Sequence, residues 1–287
     1  MFGAGQPGNR EHGLGGIDRE RAQTRALAAD EKDCFAHPPT LPHRQRAKAA
    51  RRGPYPRAMG SLSSIRVAAS TRHRSAPFLT DATAGLRTEF SGVVFEQWVA
   101  KTANWLEDEF DTGVRLHLNM RAHWLWPVVV AALDEVEGCL APIDDCDAVM
   151  TLGALPDALV PVIAVHEHPM AMPFREPLPA RHLDFFLLVR GGGDYRPAGP
   201  RHDHALLTTD GQELTASELL ELAPALPDGA RIACVVDAGA IIQTPEQIAA
   251  LCVAPWRAGA SLVITDGSSD IHGERCTTQL RIDASDR

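Results

Sequence analysis

A long amphipathic segment followed closely by an alternating one constrains the fold of this chain more than any other feature. Val94–Phe110 carries side chains at steps of three and four residues, namely Phe95, Trp98, Val99, Thr102, Leu106 and Phe110. This spacing places them on one face of a helix, and Ser91 is positioned to cap its first amides. Val114–Met120 then alternates apolar and polar residues, which predicts a strand.

The next segments extend this pair into a larger unit. Trp124–Val136 is apolar enough to predict a buried helix, Gly138 ends it, and Cys139–Ile143 predicts a short buried strand. Strand, helix and strand form a βαβ unit, whose strands run parallel and whose crossover is right-handed. The sequence therefore predicts an α/β fold with mixed β-sheet layers covered by helices.

Further segments fit the same architecture. A hairpin of Pro77–Asp81 and Leu86–Phe90 precedes the long helix. Leu183–Val189 fits either a strand or a buried helix. Other strands are predicted at Ala148–Leu152, Pro161–Val165, Ala205–Thr209, Arg231–Val236 and Ser261–Thr265.

Two helix starts carry specific signals. Thr215 and Glu218 have the spacing of a capping box. Thr244 followed by Pro245 is typical of a cap with proline at the first helical position, and Gly259 predicts the end of that helix.

The composition divides the 287 residues into three parts. Residues 1–74 are predicted to be a disordered, low-complexity extension, residues 75–267 one α/β domain, and residues 268–287 a frayed polar tail. Translation from Met59 instead of Met1 is an open alternative, which the intact mass of the native protein decides.

Charge and cysteine usage limit the partners and the compartment. Residues 59–287 hold 17 Lys/Arg against 31 Asp/Glu, so a nucleic-acid surface is not expected. The six cysteines lack C-x-x-C spacing, and no signal-like apolar segment lies near Met1, which favours the cytoplasm. The longest apolar run, Trp124–Leu133, is too short to span a membrane.

Three stretches of the sequence resemble the adenylate-forming enzymes, the AMP-dependent synthetase and acyl-CoA ligase superfamily. They are Thr88–Phe110, Val114–Ile143 and Ala250–Val263. The block Trp98–Asn104 is similar to one in an uncharacterised bacterial family related to the N-terminal region of those enzymes. The resemblance covers about residues 75–267 and implies the N-terminal subdomains of an AMP-binding enzyme.

The resemblance also implies a phosphate loop after Ala205–Thr209, where active members carry Thr-Ser-Gly-Thr-Thr-Gly-x-Pro-Lys. The corresponding residues here are Thr208-Thr209-Asp210-Gly211-Gln212-Glu213. Thr208, Thr209 and Gly211 would be its vestige, because no lysine follows Asp194 and the two acids would repel phosphate. The family's adenine-binding and ribose-contacting motifs and its C-terminal domain with the catalytic lysine have no counterpart in this sequence.

These departures lead to the expectation of a non-catalytic binding or regulatory module, with a protein as candidate partner and no cofactor. One alternative is adenylate-forming activity completed by a partner chain, in which case ATP or AMP and Mg²⁺ would bind beside Thr208, Thr209 and Gly211. A second alternative is a zinc protein, because four imidazoles could complete a tetrahedral site. Its ligands would be the paired histidines His166, His168, His202 and His204. The oligomeric state is not predictable from these patterns.

Overall fold

Two β-sheets with flanking helices form the fold in a computed structural model, which describes residues 61–110, 112–168, 171–196, 203–209 and 211–283. The strands are β1 (Pro77–Ala82), β2 (Thr88–Ser91), β3 (Arg115–Asn119), β4 (Cys139–Leu140), β5 (Ala148–Leu152), β6 (Val162–Val165), β7 (His182–Asp184), β8 (Ala205–Thr209), β9 (Gln212–Thr215), β10 (Arg231–Val236), β11 (Ser261–Thr265) and β12 (Thr278–Ile282). The α-helices are α1 (Leu62–Arg72), α2 (Gly92–Phe110), α3 (Leu125–Glu135), α4 (Phe185–Val189), α5 (Ala216–Leu222), α6 (Pro245–Ile248) and α7 (Ala254–Arg257), with a π segment (Ala249–Val253) between the last two. This architecture confirms the predicted α/β class.

The first sheet has five strands in the order β12-β10-β11-β1-β2. β1 runs parallel to β11, with Leu79 opposite Leu262, and antiparallel to β2, which confirms the predicted hairpin. β10 lies between β11 and β12 and is parallel to both.

The second sheet has seven strands in the order β7-β6-β5-β3-β4-β8-β9. Only β9 is antiparallel to its neighbour, and the predicted βαβ unit is present as β3, α3 and β4. β4 is shorter than predicted, since the chain turns into a 3₁₀ helix at Ile143–Asp145 after Pro142. Leu183–Val189 divides into the end of β7 and α4, whose first turn is capped by the Asp184 side chain.

The main hydrophobic core contains side chains of the two helices that the sequence predicts most clearly, together with side chains of both sheets. Phe95, Val99, Thr102 and Leu106 are buried on α2, as its periodicity predicts. Every residue of α3 is buried, as expected of a helix that is apolar on all sides. α3 contacts β4 and β8 of the second sheet and also α2, which itself contacts β1 and β2 of the first sheet, so the two helices together join the two layers. None of the described helices combines the length and apolar content needed to cross a bilayer.

The helix that begins after Thr244 confirms both of its predicted ends, and it contains an irregular turn. Thr244 forms a capping box with Gln247, and Gly259 follows the helix at φ +58°. The π segment precedes Pro255, where the Ala254 amide bonds to the Ala249 carbonyl. Because proline has no amide hydrogen, a regular α-helical ladder cannot continue through this position.

The folded region extends beyond the predicted limits of 75 and 267. α1 lies within the stretch predicted to be disordered, and β12 lies within the tail predicted to fray. α1 escapes a periodicity search because its buried face carries Arg66 and Ser70 in addition to Leu62 and Ala69. Residues 1–60 lie outside the described part, so their predicted disorder and the alternative start at Met59 stay predictions.

Candidate functional site

A small polar crevice lies where the carboxyl ends of β1, β3 and β6 meet. Its volume of about 20 Å³ has room for one water-sized group. In open α/β sheets ligands bind outside the carboxyl ends of strands, where the strand order reverses. β3 is such a position, because β4 lies on one side of it and β5 on the other. The crevice is lined by Asp81, Thr83, Leu86, Thr88, Arg121, His123, Trp124, Glu167 and His168.

Asp81 joins the first sheet to α3. The residue is 5% exposed, and its Oδ1 accepts hydrogen bonds from the Thr83 amide at 3.0 Å and the Thr83 hydroxyl at 2.6 Å. Its Oδ2 accepts from the Trp124 amide at 2.8 Å, at the start of α3. Trp124 makes no side-chain cap of its own, so Asp81 supplies the negative group that a helix N-terminus favours.

Arg121 connects the loops after β1, β3 and β6. Its Nη1 donates to the Thr83 hydroxyl at 2.5 Å and to the Ala122 carbonyl at 3.2 Å. Its Nη2 donates to Glu167 Oε1 at 3.2 Å, and its backbone forms a bridge with Ile241. The guanidinium is therefore engaged by three different segments of the chain.

His123 is a buried neutral imidazole beside this network. Desolvation lowers its pKa to about 4, and Arg121 adds to that effect while the Asp81 carboxylate opposes it. The Leu125 amide donates to Nδ1 at 3.4 Å, so the neutral ring carries its proton on Nε2. Nε2 lies 3.9 Å from Asp81 Oδ2.

The residues predicted to be the vestige of a phosphate loop lie elsewhere, in an edge hairpin. Thr208 and Thr209 belong to β8, and only two residues, 210 and 211, connect it to β9. The two strands pair in antiparallel register, with Thr209 opposite Gln212. Gly211 has φ +74°, which suits a tight hairpin turn. Burial raises the pKa of the Cys139 thiol, and Arg115 and the Thr208 hydroxyl partly offset this. The hydroxyl oxygen of Thr208 is itself buried.

The histidines proposed as zinc ligands do not converge. His166 and His168 follow the carboxyl end of β6, whereas His204 precedes the amino end of β8, at the opposite edge of the parallel strands. β5, β3 and β4 lie between them, which is a separation of about 19 Å at strand spacing. His202 lies outside the described residues. Within the described ranges no group of three His, Cys, Asp or Glu side chains could hold a metal ion, so the four-histidine prediction is wrong.

Sequence reasoning missed the crevice itself. Asp81 is predicted only as the last residue of a strand, and Arg121 and His123 lie between two predicted elements with no binding role predicted for them. The available signal was that polar residues directly follow two predicted parallel strands, because carboxyl ends of such strands gather ligand-binding side chains.

The fold has known counterparts, although no protein-family model and no curated protein matches the sequence. An acyl-CoA synthetase from Brucella canis is similar with a TM-score of 0.58 and 12% identity, over 76% of this chain and 47% of that chain. Coronafacic acid ligase from Pectobacterium brasiliense gives a TM-score of 0.53 and 11% identity, over 75% of this chain and 47% of that chain. The chain therefore has the α/β fold of these acyl-CoA synthetases and ligases, as the resemblance to the N-terminal region of adenylate-forming enzymes implies, and spans about half of their length.

Proposed function

We propose that this chain is a non-catalytic binding or regulatory module built on an acyl-CoA synthetase-like fold. The observation that carries the proposal is the two-residue connection between β8 and β9. The resemblance to adenylate-forming enzymes implies a nine-residue phosphate loop at this position.

A loop that holds polyphosphate needs several backbone amides free of other partners, together with a cation. In this hairpin β8 and β9 pair with each other in antiparallel register, with Thr208 opposite Glu213. Glu213 is exposed, and its carboxylate would repel a phosphate group. The local structure therefore opposes triphosphate binding through both its backbone pairing and its charge.

Calorimetric titration of the full chain with ATP and Mg²⁺ tests the proposal, with pyrophosphate release measured on a panel of carboxylic acids. We expect neither binding heat nor pyrophosphate. The Brucella canis acyl-CoA synthetase, assayed in parallel, is the control for the assay. Micromolar ATP binding accompanied by pyrophosphate release from this chain alone would overturn the proposal.

A second candidate is adenylate-forming activity completed by a partner chain. It is motivated by the fold that this chain shares with 47% of the solved acyl-CoA synthetase. ATP or AMP and Mg²⁺ would then bind beside Thr208, Thr209 and Gly211. Purification of the native chain with its bound partners, followed by the same pyrophosphate assay, distinguishes this candidate from the first.

We further propose a protein partner and a cytoplasmic location. The described cysteines Cys139, Cys146, Cys234, Cys252 and Cys276 are free thiols, which suits a reducing compartment. The excess of acidic residues makes nucleic acid an unfavourable partner. Cell fractionation followed by cross-linking in the native host tests both statements.

A further inference from the structure

We propose that the crevice beside Asp81 and His123 binds the hydroxyl group of a small neutral alcohol. The inference concerns a site remote in sequence from the β8–β9 hairpin, and it holds whether or not the chain has lost adenylation. It rests on three features of the crevice: its unused hydrogen-bonding positions, its charge and its size.

The unused hydrogen-bonding positions of His123 and Asp81 suit a ligand atom that both donates and accepts a hydrogen bond. Among the residues that the structure describes, His123 Nε2 carries a proton and makes no hydrogen bond, and Asp81 Oδ2 accepts only from the Trp124 amide and retains a lone pair. Their separation of 3.9 Å is too long for a direct hydrogen bond. One oxygen can lie about 2.8 Å from each, accepting from Nε2 and donating to Oδ2. A hydroxyl group meets both requirements.

The charge of the crevice disfavours anions, and its hydrogen-bonding groups disfavour an ammonium group. Asp81 and Glu167 bring two carboxylates against the single guanidinium of Arg121. A carboxylate or phosphate ligand would therefore meet like charge. An ammonium group has no acceptor for the His123 Nε2 proton, so a neutral ligand is favoured over both kinds of ion.

The size of the crevice limits how much of the ligand enters. About 20 Å³ accommodates a hydroxyl group in place of one water molecule, and the carbon stem must lie at the opening. Leu86 lines this opening and is 39% exposed, so it offers an apolar contact for the stem. Thr88 lines the crevice as well.

The test uses the full chain at pH 7.5 and monitors the imidazole resonances by NMR, with the His123 signals assigned from a His123→Gln variant. The probes are 1-propanol, propylamine and propionate, which share a three-carbon stem. We expect 1-propanol to shift the His123 signals saturably, with a dissociation constant in the millimolar range or tighter. The amine and the carboxylate should bind at least ten-fold more weakly.

Two variants test separately how the hydroxyl group and the carbon stem of 1-propanol contribute to binding. Asp81→Asn should weaken 1-propanol binding about ten-fold by removing the charged acceptor, and Leu86→Ala should weaken it several-fold while leaving the polar groups in place. Glu246→Gln, a surface change on α6, is the matched control. If 1-propanol produces no saturable shift, the crevice holds water only and the proposal is wrong. Equal binding of the amine or the carboxylate would overturn the proposed chemical class without depending on any variant.

Discussion

At the scale of single residues, the crevice shows how a carboxylate can be buried. Asp81 has three donors on its two oxygens and lies at the N-terminus of α3, which compensates for the loss of water. Neighbouring His123 is buried without a comparable set of partners and therefore stays neutral.

Replacing Asp81 by alanine should lower the free energy of unfolding by about 3 kcal/mol, because Thr83 and the Trp124 amide lose their acceptor. Urea denaturation at pH 7.5 measures the change. Asp228→Ala is a suitable control, since its side chain is 83% exposed. A loss below about 0.5 kcal/mol for Asp81→Ala would show that the cap contributes little.

His123 should make the protein sensitive to mild acid. Its folded pKa of about 4 lies below its unfolded value, so the neutral ring is favoured in the folded state. This contribution is fully present above pH 6.5 and is lost as the pH falls towards 4, by about 3 kcal/mol in total. Urea denaturation of the wild type and of His123→Gln at pH 7.5 and 4.5 measures the contribution of His123 to the free energy of unfolding. A parallel decline of both proteins would assign the acid sensitivity to other groups.

At the scale of elements, prediction succeeded where burial follows a periodic apolar pattern. α2, β3 and α3 carry such patterns, and local cap signals identified the start of α5 at Thr215. α1 and β12 were missed, since ion pairs and strand pairing hold them instead of an apolar stripe. Arg66 of α1 is buried against Glu135 at 2.8 Å and Glu96 at 3.2 Å.

Arg66→Ala should destabilise the fold by about 3 kcal/mol, because it leaves the largely buried Glu135 without its closest cation. Arg72→Ala on the same helix should cost less than about 1 kcal/mol, since its ion pair with Asp228 is exposed. Chemical denaturation of the two variants side by side measures the contrast. Equal effects would mean that α1 is held by its apolar residues and not by the buried ion pair.

At the scale of the whole molecule, the candidate site could not be predicted because it depends on how the two sheets meet. Asp81 and Trp124 are 43 positions apart, and their hydrogen bond requires β1 of the first sheet to approach α3 of the second. No periodicity encodes that approach. The resemblance to adenylate-forming enzymes implies the fold, but the site that it implies lies at the β8–β9 hairpin and not at the crevice.

Because the two sheets meet at the crevice, we expect them to unfold together. α3 contacts the second sheet and α2, and α2 contacts β1 and β2 of the first sheet. Arg121 also connects the loop after β3 to Thr83 after β1, so we expect neither sheet to keep its core when the other opens. Tryptophan fluorescence and far-UV circular dichroism should therefore report one coincident urea transition. Asp81→Ala should move both curves by the same amount, because the lost hydrogen bonds span the junction. Two separated transitions, or a shift in only one signal, would show instead that each sheet is stable by itself and that the crevice is a boundary between independent parts.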